Sequence, residues 1–180
     1  MRCRGFVTLL LAALWLAAAP LPAAADISRF VGDYVGTAEI ISSDGSRSDR
    51  DMSVSIFPTG KDSFAVAWTS VTRQVDGRAK SKSYRIEFRP TAREDVYAAA
   101  MRQDVFGNAV QLNPMKGEPY VWARIIDDTL TVFSLYVDAQ GGYDLQQFDR
   151  TLTEGGLLLD FLSIHNGAEV RRISTFLERK

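Results

Sequence analysis

From Tyr34 onward the chain alternates apolar and polar side chains in short runs that recur at fairly regular spacing. Tyr84, Ile86 and Phe88 alternate with Arg85, Glu87 and Arg89, the period of two that belongs to a strand with one buried face. β-Branched and aromatic residues dominate these runs. They predict ten strands, over 34–42, 51–57, 63–73, 80–89, 96–102, 120–126, 129–137, 143–153, 157–165 and 169–177. Between them stand Asp44-Gly45, Asp76-Gly77, Gly141-Gly142, Gly155-Gly156 and Asn166-Gly167, residue pairs that tolerate the positive φ of tight hairpins. Asp127-Asp128 plays the same part less strongly. No amphipathic helix is evident, although 26–30 suits a short turn and 91–96 a brief helical one.

Short loops between successive strands force antiparallel neighbours, so the chain reads as a meander. A meander of this length either exposes two long edges or closes on itself, and closure removes the edges. The expected fold is therefore all-β, one antiparallel meander closed into a barrel of about 8–10 strands. The longest irregular stretch, 103–119, holds Asn113-Pro114 and Gly117-Glu118-Pro119 and is a candidate flap over one barrel mouth.

The first 25 residues do not fit this pattern. Arg2 and Arg4 precede an apolar run from Phe6 to Ala19, and Ala23-Ala24-Ala25 follows before Asp26. That is the order of a cleavable signal peptide, and the apolar run is shorter than the roughly 20 residues a spanning helix needs. Residues 26–180 are then a single exported domain, periplasmic or secreted, with no membrane-spanning segment. Its outer face is not that of an outer-membrane barrel, because Arg85, Glu87, Arg150, Asp160 and Arg172 interrupt the strands.

The sequence has 21 Lys and Arg against 22 Asp and Glu, a balance that excludes a nucleic-acid partner. The one cysteine, Cys3, lies in the leader, so disulfide and thiol chemistry are absent from the mature chain. No catalytic, metal-binding or cofactor-binding constellation is present. His165, the one histidine, precedes the Asn166-Gly167 turn and reads as an exposed strand end. Asp44, Asp49 and Asp51 lack the ligand spacing of a calcium loop and read as a solvated hairpin tip.

Two features remain as candidate chemistry. Arg73, Arg78, Lys80, Lys82, Arg85, Arg89 and Arg93 outnumber Asp76 and Glu87, a bias suited to anionic lipid or an acidic protein partner, or to ordinary edge protection. Aromatic residues also recur in the strands. In a ten-strand barrel the side chains need not fill the lumen, and Trp68, Tyr97, Trp122 and Tyr136 are the candidate lining of a ligand cavity.

The segment Phe30-Val31-Gly32-Asp33-Tyr34 resembles the Gly-x-Trp opening of lipocalins and related calycin barrels, with Tyr34 standing where that family has tryptophan. The resemblance implies a closed barrel and a basic residue of the last strand packed over the aromatic ring, here Arg171 or Arg172. Three functions suit such a fold: binding of a small apolar or amphipathic molecule, docking of a protein partner in the envelope, and isomerase or cyclase chemistry in the cavity. The first is the leading expectation.

Overall fold

The computed structural model describes residues 26–41, 47–73, 78–104, 106 and 109–180. Residues 1–25, expected from the sequence to be a leader, and the turns expected at Asp44-Gly45 and Asp76-Gly77 lie outside the described residues.

The strands are β1 (Gly32–Ile41), β2 (Arg47–Gly60), β3 (Ser63–Arg73), β4 (Ala79–Pro90), β5 (Val96–Ala99), β6 (Arg102–Gln103), β7 (Ala109–Val110), β8 (Tyr120–Ile126), β9 (Thr129–Val137), β10 (Tyr143–Thr153), β11 (Gly156–His165) and β12 (Ala168–Arg179). Ten of these described strands form one antiparallel meander, and β1 pairs with β12 to close it into a barrel. β6 and β7 form a small separate hairpin. At the β11–β12 connection, Asn166 and Gly167 both adopt positive φ, 48° and 83°, as a two-residue hairpin with the twist of its strands requires.

Two strands depart from the sequence pattern for local reasons. β2 begins at Arg47 rather than 51 and continues past Pro58, because the ladder shifts register between Pro58 and Gly60, where the missing N–H of proline is tolerated. Asp49 and Asp51 thus lie within a strand, opposite Glu39 and Thr37, and not in a hairpin tip. Asp51 accepts hydrogen bonds from Thr37 Oγ1 and Arg73 Nη2, which hold its carboxyl below the usual range. β5 stops at Ala99: Ala100 N–H still donates to Glu87 O at 2.8 Å, then the chain leaves to form the β6–β7 hairpin. β5 therefore shares only three residue pairs with each neighbour.

One end of the lumen is packed solid. The 3-10 helix Ile27–Phe30, capped by Asp26, places Phe30 across it. Phe30, Tyr34, Phe64, Phe88, Ile125, Leu130, Leu157 and Leu177 are each fully buried there, worth about 1.5–3 kcal/mol per large side chain. Tyr34 Oη donates to Phe30 O at 2.7 Å, and Arg179 Nη2 donates to Tyr34 Oη at 2.7 Å. The cation over the Tyr34 ring is thus Arg179, with its guanidinium carbon 5.3 Å from the ring centroid, and not Arg171 or Arg172. The register explains this: Tyr34 pairs with Arg179, while Arg171 and Arg172 sit about 25 Å farther along β12.

Outward positions carry charge on many strands, including Arg85, Glu87, Asp149, Asp160 and Arg172. Among the described residues no helix is long and apolar enough to cross a membrane.

Candidate functional site

Toward the other end the lumen is not filled. A cavity of about 200 Å³ opens there, walled by Met52, Val54, Trp68, Phe148, Phe161 and Ile173. These are successive inward positions. On β2 the order from the mouth is Arg50, Met52, Val54 and then Ile56, which belongs to the packed core. On β10 it is Gln146, Phe148, Arg150 and then Leu152.

An aromatic row crosses the lumen. Tyr84 stacks on Trp68 with ring centroids 5.2 Å apart, Trp68 meets Phe148 at 6.0 Å, and Phe148 meets Phe161 at 4.7 Å. Trp68 and Phe148 come from strands on opposite sides of the barrel, so this row spans the lumen at the floor of the cavity, where Arg150 and Leu159 also line it. Offset contacts of this kind add about 0.5–1.5 kcal/mol each beyond area burial.

Beneath the row lies Arg150, 1% exposed. Its guanidinium carbon is 6.0 Å from the Trp68 centroid and 5.7 Å from that of Phe148. Nη1 donates to Phe148 O at the long distance of 3.5 Å, and Nε has no hydrogen-bond partner among the described residues. Burial pushes this guanidinium down to about 10, with Asp149 opposing the shift, so it is cationic at neutral pH. Asp149 points to the other face of β10, where it accepts from Thr131 Oγ1 and Gln147 Nε2.

More positive charge rings the mouth. Arg50, Lys82 and Arg171 line the cavity, and Lys80 stands beside them. Arg50 is held below its ordinary range by burial and then by repulsion from Arg171. Its Nε donates to Thr72 Oγ1 at 3.1 Å. Among the described lining residues there is no Asp or Glu, so the cavity is apolar in its walls and uniformly positive in its charge.

The four aromatic residues singled out from the sequence are not brought together. Trp68 lines the cavity. Tyr97 is inward but in the packed half, edge-on to Phe64 at 5.1 Å, and burial and then Asp95 raise its hydroxyl above the ordinary range. Trp122 is on the outer face: Val121 and Ala123 take the inward positions of β8, and Trp122 stacks on Phe133 at 4.7 Å. Tyr136 is 40% exposed near the mouth end of β9 and does not wall the cavity.

The basic segment is divided by the same alternation. Lys80 and Lys82 turn to the mouth, whereas Arg85 lies over Phe57 on the outside and Arg89 pairs with Glu87. The candidate flap does not wall the cavity either. Gln111 Nε2 donates to Val121 O, and the 3-10 helix Pro114–Lys116, capped by Asn113, packs near β9. His165 ends β11 half exposed, with Nδ1 3.0 Å from Asp144 Oδ1.

The alternation counts Arg150 among the charges set against a lipid-facing outer wall, but the structure turns it inward, at the parity of Phe148 and Leu152 on either side, under an aromatic row supplied by β4, β3, β10 and β11. The fold is a closed ten-stranded antiparallel barrel with one filled and one hollow half, a form compatible with lipocalin-like barrels. Comparison with known protein families, curated proteins and solved structures finds no match.

Proposed function

We propose that this barrel is an exported, lipocalin-like binding protein of the periplasm, holding one small amphipathic molecule in its hollow half. The observation that carries this reading is the cavity itself, a lumen left open above a core in which Phe30, Phe64 and Phe88 leave no exposed surface. A side-chain-filled barrel would gain stability by closing that space with one more large residue. At about 200 Å³ the cavity falls below the roughly 300–1,000 Å³ typical of drug-sized ligands, which favours a small occupant. Export is supported by the basic, apolar and small-residue order of residues 1–25.

Native purification from periplasm, followed by mass spectrometry of the small molecules released on denaturation, tests both parts. The reading expects a stoichiometric amphipathic compound and a mature N-terminus at Asp26. An empty protein would shift the weight to a docking module. That alternative draws on the outward aromatic row Tyr120, Trp122 and Phe133, with Arg124 over the Phe133 ring at 5.4 Å.

A further inference from the structure

Arg150 is the one fully buried charged side chain among the described residues, and nothing in the ordinary logic of a barrel core calls for it there. A buried cation that lacks a full set of hydrogen bonds costs several kcal/mol unless something compensates it. Asp149 attracts it from the other face of β10 but does not hydrogen-bond to it, its oxygens being engaged by Thr131 and Gln147. The Trp68 and Phe148 rings offer cation–π attraction at the edge of its range. Nε remains without a partner. Arginine also differs from lysine in presenting a planar fork that fits a carboxylate bidentately.

We infer that the occupant of the cavity is an apolar monocarboxylate, bound head inward, with its carboxylate seated on Arg150 and its hydrocarbon body against Trp68, Phe148 and Phe161. This rests on the binding function proposed above and names its ligand class. The head-in direction follows from depth. On β10 Arg150 lies one inward position below Phe148 and two below Gln146, so a molecule entering from the mouth passes apolar wall before it meets the guanidinium. Arg50, Lys82 and Arg171 at the mouth attract an anion, but Lys82 and Arg171 are solvated and the half-buried Arg50 already spends its Nε on Thr72, so none offers a dry, free fork. Arg150 is 1% exposed yet lines the cavity beside Trp68, so a carboxylate at its guanidinium lies against the indole, which makes Trp68 a reporter of binding.

The test compares octanoate with octan-1-ol, two probes that share a chain and differ in charge, by calorimetry and by Trp68 fluorescence in a Trp122→Phe background. Octanoate should bind about 10- to 100-fold more tightly, the worth of hydrogen bonds to a charged group. Arg150→Met should erase that preference while leaving octan-1-ol affinity within about 3-fold, and Arg150→Lys, which keeps the charge, should retain part of it. Removing an incompletely paired buried cation should not unfold the protein, and thermal unfolding of each variant checks this.

Equal affinities for the two probes in the unmodified protein would overturn the carboxylate assignment while leaving the amphiphile-binding reading intact. A preference that survives Arg150→Met would overturn it too, assigning the anion to the mouth arginines. Binding of neither probe would overturn both readings together.

Discussion

Arg179 and Tyr34 join the two ends of the described chain: the guanidinium lies over the phenol ring at 5.3 Å and donates to its hydroxyl at 2.7 Å. The same Nη2 also reaches the carbonyl oxygens of Arg29 and Val31 at 3.0 and 3.2 Å, so one side chain fastens the 3-10 plug to the last strand. β1 and β12 share two register pairs, and Thr175 Oγ1 donating to Thr37 O at 2.8 Å and Lys180 N–H donating to Asp33 O at 2.9 Å continue the seam that this contact helps to close.

Arg179→Met should therefore lower stability by about 1–2 kcal/mol, as read by urea denaturation, because three acceptors lose their donor while the site stays partly hydrated. Tyr34→Phe should cost less, and the double variant should cost less than the two single changes added together. Strict additivity would show that the two residues act independently.

Both neighbours of β12, β1 at the seam and β11 on its other side, depend on close backbone approach. A Cβ on Gly36 would lie 2.3 Å from Phe176 O, and one on Gly156 would lie 2.1 Å from Leu177 O. Gly156→Ala and Gly36→Ala should each destabilise by more than about 2 kcal/mol, because a backbone carbonyl cannot step aside as a flexible side chain would. Gly117→Ala, where the added carbon meets open space and only the φ of 71° is unfavourable, should cost about 1 kcal/mol. Thermal melts of the three variants would show the difference directly.

Trp68 and Trp122 separate binding from packing. Trp68→Ala enlarges the cavity and should weaken octanoate binding by about 10-fold or more. Trp122→Ala removes the outer stack on Phe133 and should leave octanoate affinity unchanged while reducing stability. The reverse result would place the ligand on the outer face of β8 and β9.

Octanoate binding requires a cationic Arg150 and an ionised carboxylate at once. Affinity should be level near neutral pH. It should fall as the pH drops below about 5, where the carboxylate of the probe protonates. It should fall again as the pH rises through about 10, where the buried Arg150 loses its proton in the empty protein. Octan-1-ol should show neither limb. Calorimetry across the range would settle both, and an octanoate profile identical to that of the alcohol would sink the assignment.

The basic mouth should act on rate more than on affinity. Lys82→Glu together with Arg171→Glu should slow octanoate association several-fold at low salt, with a smaller effect at about 1 M salt, where the screening length falls to ~3 Å. Stopped-flow fluorescence of Trp68 measures this. A change confined to the dissociation rate would place these residues in contact with the bound anion.

Much of the wall is legible in the amino-acid sequence. The alternation of Tyr84, Ile86 and Phe88 gave the inward face of β4, and Asn166-Gly167 gave a hairpin. Strand ends were less legible, because they depend on what pairs beyond them. Ala99 ends β5 since the chain after Ala100 turns off into the β6–β7 hairpin, and β2 survives Pro58 because its register slips there. The cavity lining was legible for Trp68 but not for Trp122, whose inward neighbours Val121 and Ala123 fix its parity only once β8 is placed in the barrel.

A closed all-β meander follows from the order of residues alone, because period-two alternation and short turns leave antiparallel pairing as the local solution and closure as the way to remove edges. That order did not determine which half of the lumen is full. Filling depends on which strands face each other across the barrel and at what height, and those are set by the stagger of ten strands together. That stagger brings Trp68 of β3 to Phe148 of β10 above Arg150, and it brings Arg179, rather than Arg171 or Arg172, to Tyr34.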